Sequence, residues 1–320
     1  MSKFRNISSI LRGRWLIDRQ WAENHLPVVM RLLDGDDLGI FDVSKGLSNQ
    51  HIVAIDSEDG EENYFNEKLS RFPLAGNMSG AMFKASRWNS FNDAPENSVA
   101  IIPVSGPIMK SGGDCGEPGA VHFANWIKSA NESPKISGIL LHIDSPGGMV
   151  DGTQTVVDAI KKSKKPVIAF IDDGMMASAA TWIGTSAHEV YASQKTDTIG
   201  SIGVYCTIYD YRDRLKQLGY VEHNIYAPQS TDKNKGYLDA LEGNYKIIQD
   251  ELKFIADEFI KAVKENRKGK LDAANNEPFT GKMFRADEAI ALGLIDGYAT
   301  IETAVARIYE LTKKEETFIA

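Results

Sequence analysis

The 320-residue sequence lacks the motifs that would indicate a metal enzyme, a nucleotide-binding protein or a membrane-spanning protein. It contains no HExxH or CxxC pattern and no compact group of histidine and acidic residues, so we expect no metal site. It has no glycine-rich phosphate loop, and no stretch approaches the ~18 apolar residues that cross a bilayer. We therefore expect a chain without cofactor and without membrane anchor.

Basic residues are fewer than acidic residues, and cysteines are scarce. Lysine and arginine number 36 against 44 aspartates and glutamates, and the net charge of −8 argues against nucleic acid as a partner. The two cysteines, Cys115 and Cys206, are far apart in sequence and are interpreted as reduced thiols. Because the N-terminus carries scattered charges and no apolar run of signal-peptide length, we expect a cytoplasmic protein.

Residues 1–97 are interpreted as an N-terminal extension. Apolar residues at helical spacing over 1–35 predict an amphipathic helix, and a packing or oligomer-contact role is favoured over a membrane-surface role. Residues 34–97 are polar and acidic in stretches, and they predict a loop or linker near 75–97. The extension is therefore predicted to be helical first and a linker afterwards.

From residue 98 onward, short apolar runs alternate with helical patterns. This alternation predicts an α/β fold in which crossover helices connect the strands of a sheet. The predicted strands are 98–104, 139–143, 166–171, 190–192 and 221–227. The predicted helices are 121–131, 151–163, 177–186, 210–218, 244–265, 286–292 and 301–311.

The first candidate site is the sequence DSPGG at 144–148, directly after the apolar run ILLHI. Proline fixes the entry angle, and paired glycines allow backbone conformations that are closed to other residues. Such a turn can direct backbone N–H groups at a substrate oxygen. A simple strand-to-helix turn has the same sequence, so this motif alone is weak.

The second candidate site is GMMASAA at 174–180, where a strand is followed by a helix. A serine at a helix N-terminus is most often a cap. Here small neighbours leave room for a substrate beside the Ser178 hydroxyl, and the helix N-terminus supplies N–H groups that suit an oxyanion. This motif is also ambiguous when taken alone.

A third motif, TIGSIGV at 198–204, completes an order that is specific. The succession of SPGG, ASAA and GSIGV resembles the signal peptide peptidase A family of serine peptidases. The resemblance covers about residues 98–300 and includes GKMFRADEA at 281–289 followed by GLID at 293–296. It implies the spiral of β-β-α units of Clp protease and crotonase, with a peptidase domain at 98–300 and a C-terminal helix and tail at 301–320.

The resemblance also implies roles for individual residues. Ser178 matches the nucleophile of the family. The turn at Gly147 and Gly148, together with the N–H of Ala179, matches the oxyanion hole. Ser201 matches a serine that orients the general base.

The base of the family is a lysine some fifty residues after the nucleophile. Lys233, 55 positions after Ser178, fits best, and Lys235 is the rival. A lysine can accept the serine proton only when neutral, so its pKa of ~10.4 must fall by several units through burial. Because the segment around Lys233 is charged, we expect substrate or subunit packing to exclude water there. His223 is a weaker competitor.

The resemblance implies a serine-type endopeptidase that binds protein or peptide as an extended strand in a ring-like homo-oligomer. The strand is expected beside Met149 and Val150 and along Ile202, Gly203 and Val204. Without an anchor, the chain best fits the phage branch, which processes capsid, scaffold or portal proteins in the host cytoplasm. The alternatives are a soluble bacterial peptidase, a crotonase-like acyl-CoA enzyme and an inactive assembly scaffold.

Overall fold

The computed structural model describes residues 15–17, 51–56, 83–88, 90–112, 118–272 and 274–319. Within these ranges the chain contains eleven β-strands. They are β1 (Trp15–Ile17), β2 (His51–Asp56), β3 (Phe83–Trp88), β4 (Ser98–Ser105), β5 (Ile136–Ser145), β6 (Gly147–Met149), β7 (Val167–Ala177), β8 (Glu189–Ala192), β9 (Thr198–Gly200), β10 (Met283–Arg285) and β11 (Gly297–Tyr298).

Helices connect several of these strands. The described residues contain eight α-helices and short 3₁₀ turns at Phe91–Asp93 and Glu277–Phe279. The α-helices are α1 (Ala120–Glu132), α2 (Thr153–Lys161), α3 (Ala179–Thr185), α4 (Arg212–Gln217), α5 (Lys235–Leu241), α6 (Lys246–Asn266), α7 (Ala286–Ala291) and α8 (Ile301–Ile319). Among the described helices, none is both long enough and apolar enough to cross a membrane.

The main sheet is parallel at its centre. Its strand order is β10-β9-β7-β5-β4-β2-β3, and β8 joins β7 and β11 away from that path. Strands β4, β5 and β7 run parallel to one another, and β8 and β9 run parallel to β7. A parallel sheet is covered on both faces, which explains why its strands read as continuous apolar runs. The predicted α/β class is confirmed.

The core lies on both faces of this sheet. On one face, helices α1, α2 and α3 pack over the strands, with Phe123, Val156 and Ile183 fully buried. On the other face, α8 packs against Leu140 and Phe170 through the apolar side chains of its first turns. These two layers hold the carboxyl ends of β5 and β7 in place, where the candidate motifs begin.

Strand β7 extends further than the sequence predicts. Its first half pairs with β5 and β8, and its last three residues, Met175–Ala177, pair with β9. The register is irregular between these halves, around Asp172 and Asp173. The sequence pattern ends at residue 171 because the polar residues there interrupt the apolar run. The strand nevertheless continues and delivers the chain to Ser178.

The N-terminal extension contains three described strands, two of which lie where a helix or a linker was predicted. Trp15–Ile17, predicted as part of a helix, is a strand that pairs antiparallel with β6. β2 and β3 form an antiparallel pair that extends the main sheet at β4, and β3 lies where a linker was predicted. Tertiary pairing overrides local helical periodicity here. The remainder of 1–35 lies outside the described residues, and the domain boundaries stay predictions.

The predicted strand at 221–227 does not form. This segment has no regular structure, and Val221 and Ile225 are 76% and 92% exposed. A strand needs a neighbouring backbone, and no described strand pairs with this one. The segment therefore has the sequence pattern of a strand but no partner strand among the described residues.

Candidate active site

Ser178 lies at the junction of β7 and α3, in a conformation that is unusual for a serine. Its φ is 53° and its ψ is −114°. A non-glycine residue with positive φ costs free energy and persists only where its surroundings enforce it. The N–H of Ser178 donates to the carbonyl of Gly200 at 2.8 Å, and its carbonyl accepts from the N–H of Trp182 at 3.0 Å. Both bonds fix the direction of the side chain.

Thr181 reinforces this junction, although the sequence motifs gave it no role. Its hydroxyl lies between two buried carbonyl oxygens, those of Met176 at 2.6 Å and Gly200 at 2.9 Å. One side chain thereby connects the strand before Ser178 to the strand beside it. A threonine three residues into a helix gives no sequence signal for this role.

The Ser178 side chain is buried, and its hydroxyl forms no described hydrogen bond. The residue is 1% exposed, and its Oγ has no hydrogen-bond partner among the described residues. A buried polar atom without a partner costs about 1–3 kcal/mol, so it calls for an explanation. A nucleophile whose general base arrives from elsewhere would explain it.

The glycine turn lies close to the helix α3 that follows Ser178, and it is held by its own hydrogen bonds. The N–H of Gly147 donates to Ser145 Oγ at 3.2 Å, and that hydroxyl donates to the carbonyl of Gly106 at 2.7 Å. Gly147 has a φ of 94°, which favours glycine. Since the Gly147 N–H is engaged, Gly148 is the better candidate for an oxyanion donor from this turn.

Gly148 packs directly against the loop before α1. Its neighbours bond to Ile108: the Gly147 carbonyl accepts from the Ile108 N–H and the Met149 N–H donates to the Ile108 carbonyl, both at 2.8 Å. A Cβ on Gly148 would lie 2.0 Å from the Ile108 carbonyl oxygen. Only glycine fits there, which explains the second glycine of the motif.

Asp144 joins the first two motifs. Ser145 is paired with Met176 across β5 and β7, and one carboxylate oxygen of Asp144 accepts from the Met175 N–H at 3.1 Å. A Cβ on Gly174 would lie 2.4 Å from the same carboxylate oxygen. The acidic residue that opens DSPGG and the glycine that opens GMMASAA are therefore packed together.

Asp197 is a further positioning residue that the sequence motifs did not indicate. Its fully buried carboxylate accepts from the N–H groups of Gly174, Ser193 and Gln194, each at 2.9 Å. Burial raises the pKa of this carboxyl, and the backbone N–H groups oppose that rise. The carboxylate holds the turn before β9 against the irregular part of β7.

The third motif adjoins Ser178 through the carbonyl of Gly200. Ser201, half-buried with a φ of 53°, donates its N–H to the carbonyl of Lys282 at 2.8 Å. Ile202 is buried in the core, and Gly203 and Val204 are half-buried. Because β9 ends at Gly200, the predicted substrate-binding residues 202–204 present irregular backbone rather than a regular strand.

Met149 and Val150, the other predicted substrate-binding residues, follow the glycine turn. Both are half-buried, and the Met149 carbonyl accepts from the Thr153 hydroxyl at 2.9 Å. This bond fixes the start of α2 against the turn.

The candidate bases are not in contact with Ser178 in the described chain. Lys233 is exposed in a turn, and its N–H donates to the carbonyl of Ser230 at 3.3 Å. The ammonium of Lys235 donates to both carboxylate oxygens of Asp239 at 2.9 Å. His223 is exposed as well. The structure thus brings together both glycines of the turn, the serine and the third motif, but not the lysine.

Lys165 has a lowered pKa but belongs to a different part of the fold. Burial lowers the pKa of Lys165 to about 8. Its ammonium donates to the carbonyls of Ala130 and Ser133 at the end of α1. It precedes β7, whereas Ser178 follows the far end of that 11-residue strand, so the two are roughly 30 Å apart. Lys165 caps a helix and is not a candidate base.

Comparison with known proteins gives matches to two families of peptidases. Residues 159–315 match the model of Peptidase family S49, and residues 115–199 match that of Clp protease. "Protease 4" of Salmonella typhi is 28% identical over 68% of the chain and 35% of its own length. "Putative signal peptide peptidase SppA" of Enterococcus faecium is 25% identical over 58% of the chain and 54% of its own length. "Capsid assembly protease C" of Escherichia phage lambda is 29% identical over 54% of the chain and 39% of its own length.

The S49 match contains Ser178, Ser201 and both candidate lysines, and the Clp protease match contains the glycine turn. The chain spans between about a third and a half of the length of these three relatives. The resemblance that the motifs indicated is therefore confirmed: part of the chain matches the S49 family of serine peptidases and part matches Clp protease, in keeping with its α/β fold.

Proposed function

We propose that the chain is a serine endopeptidase in which Ser178 is the nucleophile and Lys233 the general base. The observation that carries this proposal is the buried, unpartnered Ser178 hydroxyl at a strained strand-to-helix junction. The N–H of Ala179 has no acceptor within its helix because it opens α3. Together with Gly148, it supplies the donors that an oxyanion needs.

The reaction proceeds through an acyl-enzyme. Ser178 Oγ attacks the scissile carbonyl carbon, and its proton passes to the neutral amine of Lys233. The N–H groups of Gly148 and Ala179 hold the oxygen that becomes negative. The C–N bond then breaks, and the lysine returns the proton to the leaving amine. A water molecule hydrolyses the ester by the same proton transfers in reverse, with Ser201 orienting the amine.

Lys233 is favoured over Lys235 because its amine is available. Lys235 is held in an ion pair with Asp239 on its own helix, and a nearby carboxylate stabilises the charged form of lysine, which cannot act as a base. Lys233 lies in the preceding turn. Its segment must fold over Ser178 to become dehydrated.

Association of chains would provide this folding. The region around Lys233 carries exposed apolar side chains that a solitary soluble protein rarely presents so densely. They are Tyr209, Tyr211, Leu215, Leu218, Tyr220, Val221, Ile225, Tyr237, Tyr245, Ile247 and Phe254. We infer that another copy of the chain covers this surface, gives the segment 221–227 a partner strand and places Lys233 in a dry site.

The substrate class is proposed from the backbone edges near Ser178 and from the names of the relatives. We propose that an extended peptide binds along the edge of β6 that β1 occupies, next to the backbone of 202–204. One relative is named as a capsid assembly protease. We propose that this chain likewise processes capsid, scaffold or portal proteins, in the cytoplasm of the host if it is phage-encoded.

The direct test is covalent labelling with a fluorophosphonate, followed by peptide mapping. Labelling at Ser178 that is lost in Ser178→Ala supports the serine peptidase. Binding of coenzyme A without labelling would instead favour the crotonase-like reaction. The absence of both labelling and coenzyme A binding would favour an assembly scaffold. Co-expression with candidate capsid proteins gives the second readout. The same fragments from wild type and Ser178→Ala would overturn the proposal.

The base is tested by a matched pair of lysine variants. We expect Lys233→Ala to lose hydrolysis and Lys235→Ala to retain it. Mixing the inactive Ser178→Ala and Lys233→Ala chains shows whether the dyad forms between subunits. Random association would restore about a quarter of the sites if each lysine serves a neighbouring serine. No restored activity would mean that serine and lysine act within one chain.

A further inference from the structure

The strand β1 lies on the edge of the candidate active site. Trp15–Ile17 pairs antiparallel with Gly147–Met149, and Leu16 stands opposite Gly148. No other pairing of β1 is described, so its only described anchor is the glycine turn. A segment more than 120 positions away in sequence is thus placed beside the oxyanion donor.

The hydrogen bonds of the turn determine which edge β1 uses. The Gly147 carbonyl and the Met149 N–H both point towards Ile108. Because successive residues of a strand point to opposite edges, the N–H and carbonyl of Gly148 point the other way, towards β1. Residues opposite each other in such a pair exchange both backbone hydrogen bonds. The Gly148 N–H therefore faces the carbonyl of Leu16.

We propose that β1 is an intramolecular substrate mimic that occupies the active-site edge and blocks access to Ser178. This proposal rests on the assignment of Ser178 as nucleophile and Gly148 as oxyanion donor. The carbonyl of Leu16 takes the position in which a scissile carbonyl would meet the Gly148 N–H. Since Ser178 is 1% exposed, a substrate can reach its hydroxyl only after a covering segment leaves.

A three-residue strand is a suitable device for reversible blocking. It contributes few backbone hydrogen bonds, each with a net value of about 1 kcal/mol. A protein substrate with a longer extended segment can displace it. Release raises the reactivity of the serine by the inverse of the open fraction, so a site that is open one-tenth of the time gains about tenfold.

The pairing is tested in the full chain with two substitutions at one position. Leu16→Pro removes the backbone N–H of Leu16, so residue 16 can no longer exchange two hydrogen bonds with Gly148. Leu16→Ala keeps the backbone and serves as the matched control. Residue-resolved hydrogen exchange should show a Gly148 amide that exchanges about tenfold faster in Leu16→Pro than in the other two chains. The Met149 amide, which donates to Ile108, should not change.

Fluorophosphonate labelling of the same three chains gives the functional readout. We expect Ser178 of Leu16→Pro to label about tenfold faster than that of wild type or Leu16→Ala. Equal Gly148 exchange in wild type and Leu16→Pro, or equal labelling rates with Ser178 reactive in both, would overturn the substrate mimic. If Gly148 exchange responds but no chain labels at all, the strand pairing stands and the serine peptidase assignment fails.

Discussion

The backbone N–H of Ser178 donates to the carbonyl of Gly200 at 2.8 Å, so the strand next to the nucleophile determines where its side chain points. Gly200 itself is confined, because a Cβ there would lie 2.5 Å from the carbonyl of Lys282. Ser178 is therefore positioned by a chain of backbone contacts that reaches β10. These contacts offset the strain of its backbone conformation.

We predict that Ser178→Gly unfolds less readily than Ser178→Ala. Glycine adopts a φ of 53° without steric strain, whereas alanine retains the strain. Strain of about 1–3 kcal/mol exceeds the 0.5–1 kcal/mol that glycine loses in chain entropy, so Ser178→Gly should gain about 1 kcal/mol. Urea denaturation of the two inactive chains measures the difference. Equal midpoints would mean that the junction is not strained.

We predict that Thr181→Val lowers both stability and activity. The substitution leaves the carbonyls of Met176 and Gly200 without the hydroxyl donor they share. The expected loss is about 1–3 kcal/mol in the free energy of unfolding, and displacement of Ser178 should lower kcat/KM about tenfold or more. Thr181→Ser keeps the donor and is the control. A Val variant as active as the Ser variant would contradict this role.

We predict that Gly148→Ala abolishes activity. Its Cβ would meet the Ile108 carbonyl oxygen at 2.0 Å, so the turn must move and its N–H must leave the site. Gly269→Ala is the control, because a Cβ there meets no atom within 4 Å and the residue lies outside the proposed site, so only the modest strain of its positive φ is expected. Peptide hydrolysis and circular dichroism of both variants measure the effect. Retained activity in Gly148→Ala would exclude the turn from the reaction.

We predict that Asp296→Asn strongly destabilises the fold. Asp296 binds the guanidinium of Arg267, which is 1% exposed, at 2.8 and 3.1 Å, and it accepts from the Val190 N–H. Burial alone would raise the pKa of Asp296, but hydrogen bonds from Arg267 and Lys270 lower it overall. Removing the charge leaves Arg267 buried and uncompensated, at a cost of about 3–5 kcal/mol.

Lys270→Ala is the matched control for this ion pair. The Lys270 side chain is 43% exposed, and an exposed partner contributes about 0–1 kcal/mol. Chemical denaturation of the two variants separates the buried contact from the exposed one. Equal losses would argue against the buried pair as the dominant contact.

We predict that the ion pair between Glu189 and Arg307 contributes stability only above acidic pH. A hydrogen bond from Arg307 is the main reason why the pKa of Glu189 is lowered from its ordinary value of 4.5. A lowered pKa in the folded state means that the contribution is complete above 4.5 and disappears as the pH falls through the lower folded value. Arg307→Gln should cost about 1–2 kcal/mol at pH 7 and progressively less below pH 4.5.

The control for this pH dependence is Arg285→Gln, because the contacts of Arg285 with Asp287 and Glu288 are exposed. Its loss at pH 7 should stay below about 1 kcal/mol. Thermal melting of both variants at pH 7 and pH 3 tests the sign. A difference between wild type and Arg307→Gln that persists unchanged at pH 3 would contradict the assignment.

The central sheet could be predicted from the sequence because its strands are buried on both faces. Runs such as ILLHI and PVIAFI are short, rich in β-branched or aromatic residues and bounded by turn residues, so they fit buried strands. The predicted bounds were short, since β5 and β7 continue through Asp144 and Asp172, whose polarity ends the apolar pattern. The continuation depends on backbone pairing, which composition does not reveal.

The glycines of these motifs are sterically required where they stand, and the serine could be identified only through the order of motifs that resembles a known family. Thr181 and Asp197 could not, because their roles depend on carbonyl and N–H groups that are distant in sequence. The helix predicted at 1–35 was wrong at Trp15–Ile17 because local periodicity does not show that β6 presents an edge. The strand predicted at 221–227 has the right pattern but lacks a neighbour.

The number of residues in the irregular part of β7 determines the direction in which the Ser178 side chain points. Between Ile171, which still pairs in the regular sheet, and Met175, which pairs with β9, the chain has a fixed number of residues. Side chains alternate along the last residues of β7, so one residue inserted or removed between Ile171 and Met175 would turn the Ser178 side chain to the opposite face. Insertions at Gly219 or Gly243, where the surroundings are open, should leave Ser178 in place.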